Sequence, residues 1–303
     1  MNRLLAAIFL LALWITPAVA QPQDEEKPIK PELSPLVTRV ISDTLTTAQQ
    51  RRALQIFHGQ WDAVDDPTPT EQAQIALAKY DLHNPILNAP TTPALLRARA
   101  AHLRGQPQKA LDALGETASA EADLLRARAL DDLGRQSDAV QVLAKWREHL
   151  QQNQVTEPGE LVAAAQALTL LADLEGRPSQ DYHLAMQLLG RVRTEIDRLY
   201  WPASLAEAEL LVEKDNPTEA LKALQDALTL NPNASRAWYL LGQMSVASYN
   251  FDRARQVSDE LRKIHDTHLL ADLLDAESYL QQKDADSALQ TLARLPSASR
   301  RRQ

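Results

Sequence analysis

Residues 235–261 read SRAWYLLGQMSVASYNFDRARQVSDEL. Trp238, Leu241 and Gly242 give a W-x2-L-G pattern in a first helix, Phe251 opens a second, and Ala254 lies inside it. The unit runs from about Asn233 to Asp266. Gly242 and Ala254 are expected where the two helices of the pair come closest. A longer side chain there would overpack, at a cost of roughly 1–3 kcal/mol. Ala254 has counterparts 34 residues away on either side, Ala220 and Ala288. A fixed period of that length marks one helix–turn–helix unit repeated and stacked.

Working outward, the preceding unit runs from about Trp201 to Asn231-Pro232. Its second helix carries Ala220, Leu224, Ala227, Leu228 and Leu230. Pro232 ends it, because proline cannot continue a helix and disfavours helical geometry in the residue before it. The following unit uses Ala276 and Tyr279, then Ala288, Leu292 and Leu295. Upstream, Leu95-Leu96-Arg97-Ala98-Arg99-Ala100 recurs as Leu124-Leu125-Arg126-Ala127-Arg128-Ala129, an offset of 29. The same offset aligns Gly105 with Gly134, Ala110 with Ala139 and Leu114 with Leu143. Elsewhere the chain reads as a helix pair in about 34–64, a helix at 70–82, and a longer pair at about 157–199 broken near Gly176-Arg177-Pro178.

These residues resemble the tetratricopeptide repeat. The resemblance departs at Ser245, Ser258 and Asp266, where the pattern usually has Tyr, Phe and Pro. It implies an all-α fold, an α-solenoid of about seven stacked helix pairs in a right-handed superhelix, and a role in holding other proteins. The segment LYWPASLAEAELLVEKDNPTEAL, residues 199–221, followed by LNPNASRAWYLLG, is also similar to arrays at the front of large exported bacterial proteins. Some of those end in a zinc metallopeptidase-like domain.

Composition agrees with a helical reading. Apolar residues make up 45% of the chain, aromatics only 5%, and glycine occurs 8 times in 303 residues. Alanine and leucine, both strong helix formers, dominate. With so few large side chains, close helix contacts must rely on small ones. The net charge of −8 argues against a nucleic-acid partner, which would call for a basic face. The absence of cysteine excludes disulfides, thiol catalysis and thiolate metal sites.

Residues 1–20, MNRLLAAIFLLALWITPAVA, have the layout of a cleaved secretory signal: Arg3, an apolar core, Pro17 and a small-x-small end. Export to the periplasm, or secretion, is therefore expected, with no stable membrane span after cleavage. Residues 21–33 read as a disordered linker rich in proline and charge. Next come irregular helices at 34–90, degenerate repeats at 91–199, regular repeats at 200–296 and a basic flexible tail at 297–303.

No catalytic motif is visible. None of the seven histidines is followed by glutamate, so H-E-x-x-H is absent. No phosphate-cradling glycine loop or G-x-S-x-G elbow occurs either. His265 and His268 could share a helix face, but zinc needs three or four protein ligands, and a solvated turn between helices is the plainer reading. No enzyme activity, metal or cofactor is expected.

The first helix of each pair lines the concave groove of such arrays. That register puts Arg99, His102, Arg128, Asp131, Glu209, Glu213, Tyr239, Gln243 and Glu277 in the groove. The groove would be basic towards its N-terminal part and acidic towards its C-terminal part. Ordinary solvated helix charges are the competing reading for each of these residues. The expected function is a non-catalytic scaffold or adaptor for protein partners. The alternative is an accessory module presenting substrates to a separate peptidase. Leu289, Leu292 and Leu295 in the last helix, with no polar capping helix after them, also suggest self-association through that end.

Overall fold

A computed structural model describes residues 31–151, 155–176 and 178–295. The signal, most of the 21–33 linker and the 297–303 tail lie outside the described residues. Among those residues there are 15 α-helices and no strand. The N-terminal helices are α1 (Pro35–Ser42), α2 (Ala48–Phe57) and α3 (Pro69–Ala78). The stacked pairs follow: α4 (Ala94–Leu103) with α5 (Pro107–Leu114), α6 (Ala120–Asp132) with α7 (Gln136–Gln151), and α8 (Pro158–Glu175) with α9 (Pro178–Arg191). The last three pairs are α10 (Trp201–Glu213) with α11 (Pro217–Leu230), α12 (Ser235–Ala247) with α13 (Phe251–Ile264), and α14 (Leu269–Gln281) with α15 (Ala285–Ala293). Helices α1 and α2 form a seventh, looser pair.

Local chemistry sets the boundaries. Proline stands in the first turn of α1, α3, α5, α8, α10 and α11, where its missing N–H has no helical partner to lose. Thr47 and Thr68 close reciprocal capping boxes with Gln50 and Glu71. Helix α11 ends at Leu230 with Asn231 as its cap, directly before Pro232.

The repeat-defining residues do what their size suggests. Ala110, Ala139, Ala220, Ala227, Ala254 and Ala288 are all buried, as are Trp238 and Leu241. Gly242 differs from its expected place. Its nearest neighbour is not the second helix of its own pair but Leu274 of α14: a Cβ built on Gly242 would lie 2.2 Å from Leu274 Cδ2. The small residue serves the joint between successive repeats, because the first helices of neighbouring units stack directly there. The two serine departures are buried and use their hydroxyls. Ser258 Oγ donates to Asp275 across α13 and α14 at 2.6 Å, and Ser245 Oγ donates to Leu241 O within α12.

Helix α8 is the hub of the array. Leu161, Val162, Ala163, Ala164, Ala165, Ala167, Leu168, Leu171 and Ala172 bury most of its circumference. It packs against α6, α7, α9 and α10, so an apolar stripe on one face would not suffice. Arg147 of α7 ties this region further, donating to Glu175 at 2.7 Å and to Asp181 at 2.5 Å.

The N-terminal segment does not extend the stack; it docks across it. Ser34 N–H donates to Thr229 O, and the buried His58 meets Leu230 O through Nδ1 at 2.8 Å. Trp201 Nε1 and Asn231 Nδ2 both donate to Phe57 O, and Asn233 Nδ2 donates to Gly59 O. Phe57 also packs its ring against Tyr200 and Trp201. Further on, Ala73, Ala76, Leu77, Leu82 and Leu87 form one apolar cluster with Ala100 of α4 and Leu269 of α14. A single segment thus bridges the first and last parts of the array.

His268 lies at the end of this bridge. It is buried, which corrects the solvated-turn expectation; its ring stacks on Tyr80 with centroids 5.4 Å apart. Leu270 N–H donates to its Nδ1, so Nε2 carries the proton and donates to Ser235 Oγ at 3.0 Å. Ser235 Oγ in turn donates to Ala78 O at 2.9 Å. Burial holds the imidazole pKa at about 3, helped by His265 and Arg262. The unfolded value is near 6.5, so the stability this neutral ring contributes is complete above about pH 6.5 and is lost as pH falls towards the folded value. His58, whose pKa burial also lowers, acts in the same direction. Urea unfolding should show about 2 kcal/mol less stability at pH 5 than at pH 7 from His268 alone. A His268→Gln variant should have a shallower pH dependence; an unchanged slope would contradict this assignment.

Candidate functional site

Arg99 of α4, Arg128 of α6, Glu209 of α10 and Arg236 of α12 face one shared space. Arg128 feels the charges of Glu209, Arg236 and Arg99, although the four residues lie on four different helices. Tyr80, from the docked N-terminal segment, feels the same four residues. The first helices of the pairs therefore surround a hollow, and Tyr80 projects into it.

Arg128 is crowded by protein and still open to solvent, as at the floor of a concavity. Crowding holds its pKa below the ordinary arginine range; Glu209 opposes this, and Arg236 and Arg99 reinforce it. Among the described residues Arg128 makes no hydrogen bond or ion pair through its side chain. Its neighbours are engaged. Arg99 pairs with Glu121 at 3.3 Å, and Arg236 donates to Glu209 at 2.8 Å. Glu209 also accepts from Gln166 of α8. Burial opposes the charge on Arg236, but Glu209 outweighs it and its pKa is raised. Burial raises the Tyr80 hydroxyl, so it stays a neutral donor.

A second group adjoins on α12 and α14. The buried Tyr239 donates to Glu277 at 2.5 Å, and Gln243 Nε2 reaches both Glu277 oxygens at 3.3 Å. Burial raises the Glu277 carboxyl above its usual range, against the two hydrogen bonds that stabilise its anion. Arg236 lies over the Tyr239 ring at 5.5 Å and links the two groups.

The structure therefore gathers Arg99, Arg128 and Glu209 in one set, and Tyr239, Gln243 and Glu277 in the adjoining one. His102 approaches Asp132 at 3.4 Å, with Asp131 half-buried beside it on α6. Glu213 is placed with neither set; it accepts from Tyr182 of α9 and from Lys214. Sequence reading missed two members. Arg236 sits one position into its helix, outside the register used upstream. Tyr80 arrives from a segment without repeat periodicity, and no local pattern signals it. Towards the far end, Leu280 and Leu289 are exposed, while Leu295 is buried. Among the described residues no group of three or more histidines, cysteines or acids could hold a metal. No described helix is long and apolar enough to cross a membrane.

Stacked helix pairs around a polar hollow define a repeat scaffold of the kind that holds other chains. Residues 211–276 match the tetratricopeptide repeat family model. That stretch of the chain therefore carries tetratricopeptide repeats, and the match runs from the end of α10 into α14, where the period of 34 is most regular. A search of curated proteins finds no match to it.

Proposed function

We propose that this chain is a non-catalytic adaptor, exported from the cytoplasm, that holds a segment of a protein partner in the hollow around Arg99, Arg128 and Arg236. Its repeat family supports a role in protein–protein interaction. One observation carries the placement: Arg128 is solvent-open at the floor of the hollow and has no acidic partner of its own. A cation crowded by two others and left without a counter-ion suits a carboxylate on an incoming chain. The export part of the reading rests on residues 1–20.

Photo-crosslinkers placed one at a time at Arg99, Gln243, Leu280 and Leu289 in the full chain, followed by mass spectrometry, test this reading. One stoichiometric partner, captured at Arg99 and Gln243 and lost in Arg128→Glu, is the expected result. Reversing a close charge pair should weaken binding by roughly tenfold or more. Capture of a peptidase would favour the accessory-module reading. Crosslinks confined to Leu280 and Leu289 would move the interface to the last helix pair and overturn the proposed site.

A further inference from the structure

Arg97 and Arg126 occupy equivalent places in the repeated LLRARA motif, 29 residues apart, yet their surroundings differ. Arg126 is fully engaged. It donates to Asp123 at 2.7 Å and to the carbonyls of Gly115 and Thr117. The position matching Asp123 one repeat earlier is Ala94, so Arg97 lacks that acid. The Arg97 side chain makes no hydrogen bond or ion pair with any described residue, and its Nε is shut off from solvent without a partner. A buried donor left unmade carries a desolvation penalty that a bound acceptor would relieve.

Arg97 lines a cleft of about 370 Å³ between the 3-10 turn Pro85–Asn88 and the α4–α5 hairpin. Arg104 and Lys109 line the same cleft, and Asp112 is its only acid. Arg104 is anchored through Nε to Leu82 O and through Nη1 to Asn88 Oδ1. Lys109 forms no ion pair among the described residues and is exposed. Helix α5 begins at this cleft, and its cap residue Gln106 makes no side-chain hydrogen bond to the first turn. Three cations, one orphaned donor and an uncapped helix start all call for the same ligand chemistry.

We propose that this cleft binds an oxyanion group, phosphate or carboxylate, with Arg97 supplying the decisive donors and Arg104 and Lys109 the surrounding charge. This does not rest on the adaptor reading, since the cleft and the Arg128 hollow are lined by different residues.

Thermal unfolding and calorimetric titration of the full chain, with inorganic phosphate, succinate and chloride at matched ionic strength, test the proposal. Phosphate or succinate should stabilise the fold beyond chloride, and the anion that does so identifies the class of group. Arg97→Gln should weaken that binding by roughly tenfold. Lys109→Gln, an exposed change that spares the fold, should weaken it less and should reduce its salt dependence. Arg126→Gln, which removes the engaged twin, should lower stability and leave anion affinity unchanged. Equal stabilisation by all three salts, or a folded Arg97→Gln chain that binds as tightly as the parent, would overturn the proposal.

Discussion

A Gly242→Val variant will lose about 3 kcal/mol of stability or more, among the largest losses from any single substitution outside the fully buried leucines. The added Cβ alone meets Leu274 at 2.2, 2.9 and 3.1 Å, at Cδ2, Cδ1 and Cγ. Leu274 is fully buried and has no room to retreat. The strain therefore falls on the α12–α14 joint, and α14 with α15 should loosen from the stack first. Gly190 of α9 is the contrast. It too is helical, but nothing lies within 4 Å of its built Cβ. Gly190→Ala should therefore gain up to about 1 kcal/mol, from helix propensity alone. Urea unfolding of both variants checks the pair. A loss at Gly242 no larger than the gain at Gly190 would count against the packing described.

The second large effect is expected at Gly59. Its φ is +75°, and a Cβ there would meet Asn231 Oδ1 at 2.4 Å and Asn233 Cβ at 2.9 Å. Those two asparagines hold the N-terminal segment through Phe57 O and Gly59 O. Gly59→Ala should cost about 3 kcal/mol, from left-handed backbone strain and from the clash together. Gly134, at φ +76° with open space around it, isolates the strain. Gly134→Ala should cost only about 1 kcal/mol. Limited proteolysis of Gly59→Ala should cut within 34–88 while the array stays resistant. Uniform resistance would show that the segment holds on without this turn.

The stacked array was legible because its signals are local. Ala220, Ala254 and Ala288 are buried for the same reason that they recur, since each fills the narrow joint of one repeat. Trp238 and Leu241 could be read the same way. Gly242 is legible as a close contact but its neighbour is not, because periodicity shows that a residue must be small and not which helix presses on it. The helices of the docked segment are legible in the sequence, but its docking is not. Bonds such as His58 to Leu230 join residues 172 positions apart, and no period or motif records such a pairing. The burial of His268 follows from that docking and was lost with it. At the hollow, Arg99, Arg128 and Glu209 could be placed by register. Arg236 and Tyr80 required the fold. Arg97 is visible in the LLRARA motif, but its want of a partner depends on Ala94 standing where its twin has Asp123.

The docked segment also changes what kind of folding unit this is. An open solenoid behaves like a one-dimensional chain, in which repeats fray from either end and each feels only its neighbours. Here Phe57, His58 and Gly59 bond to Asn231, Leu230 and Asn233, and the cluster around Leu82 joins α4 to α14. The ends of the array cannot fray independently while that clasp is closed. Closing it means bringing together points separated by most of the chain, an entropic cost that local repeat contacts do not carry. The repeats are thus expected to form early and the clasp late. Once it is shut, the molecule unfolds cooperatively, as a ring does, and not as a row of separable links.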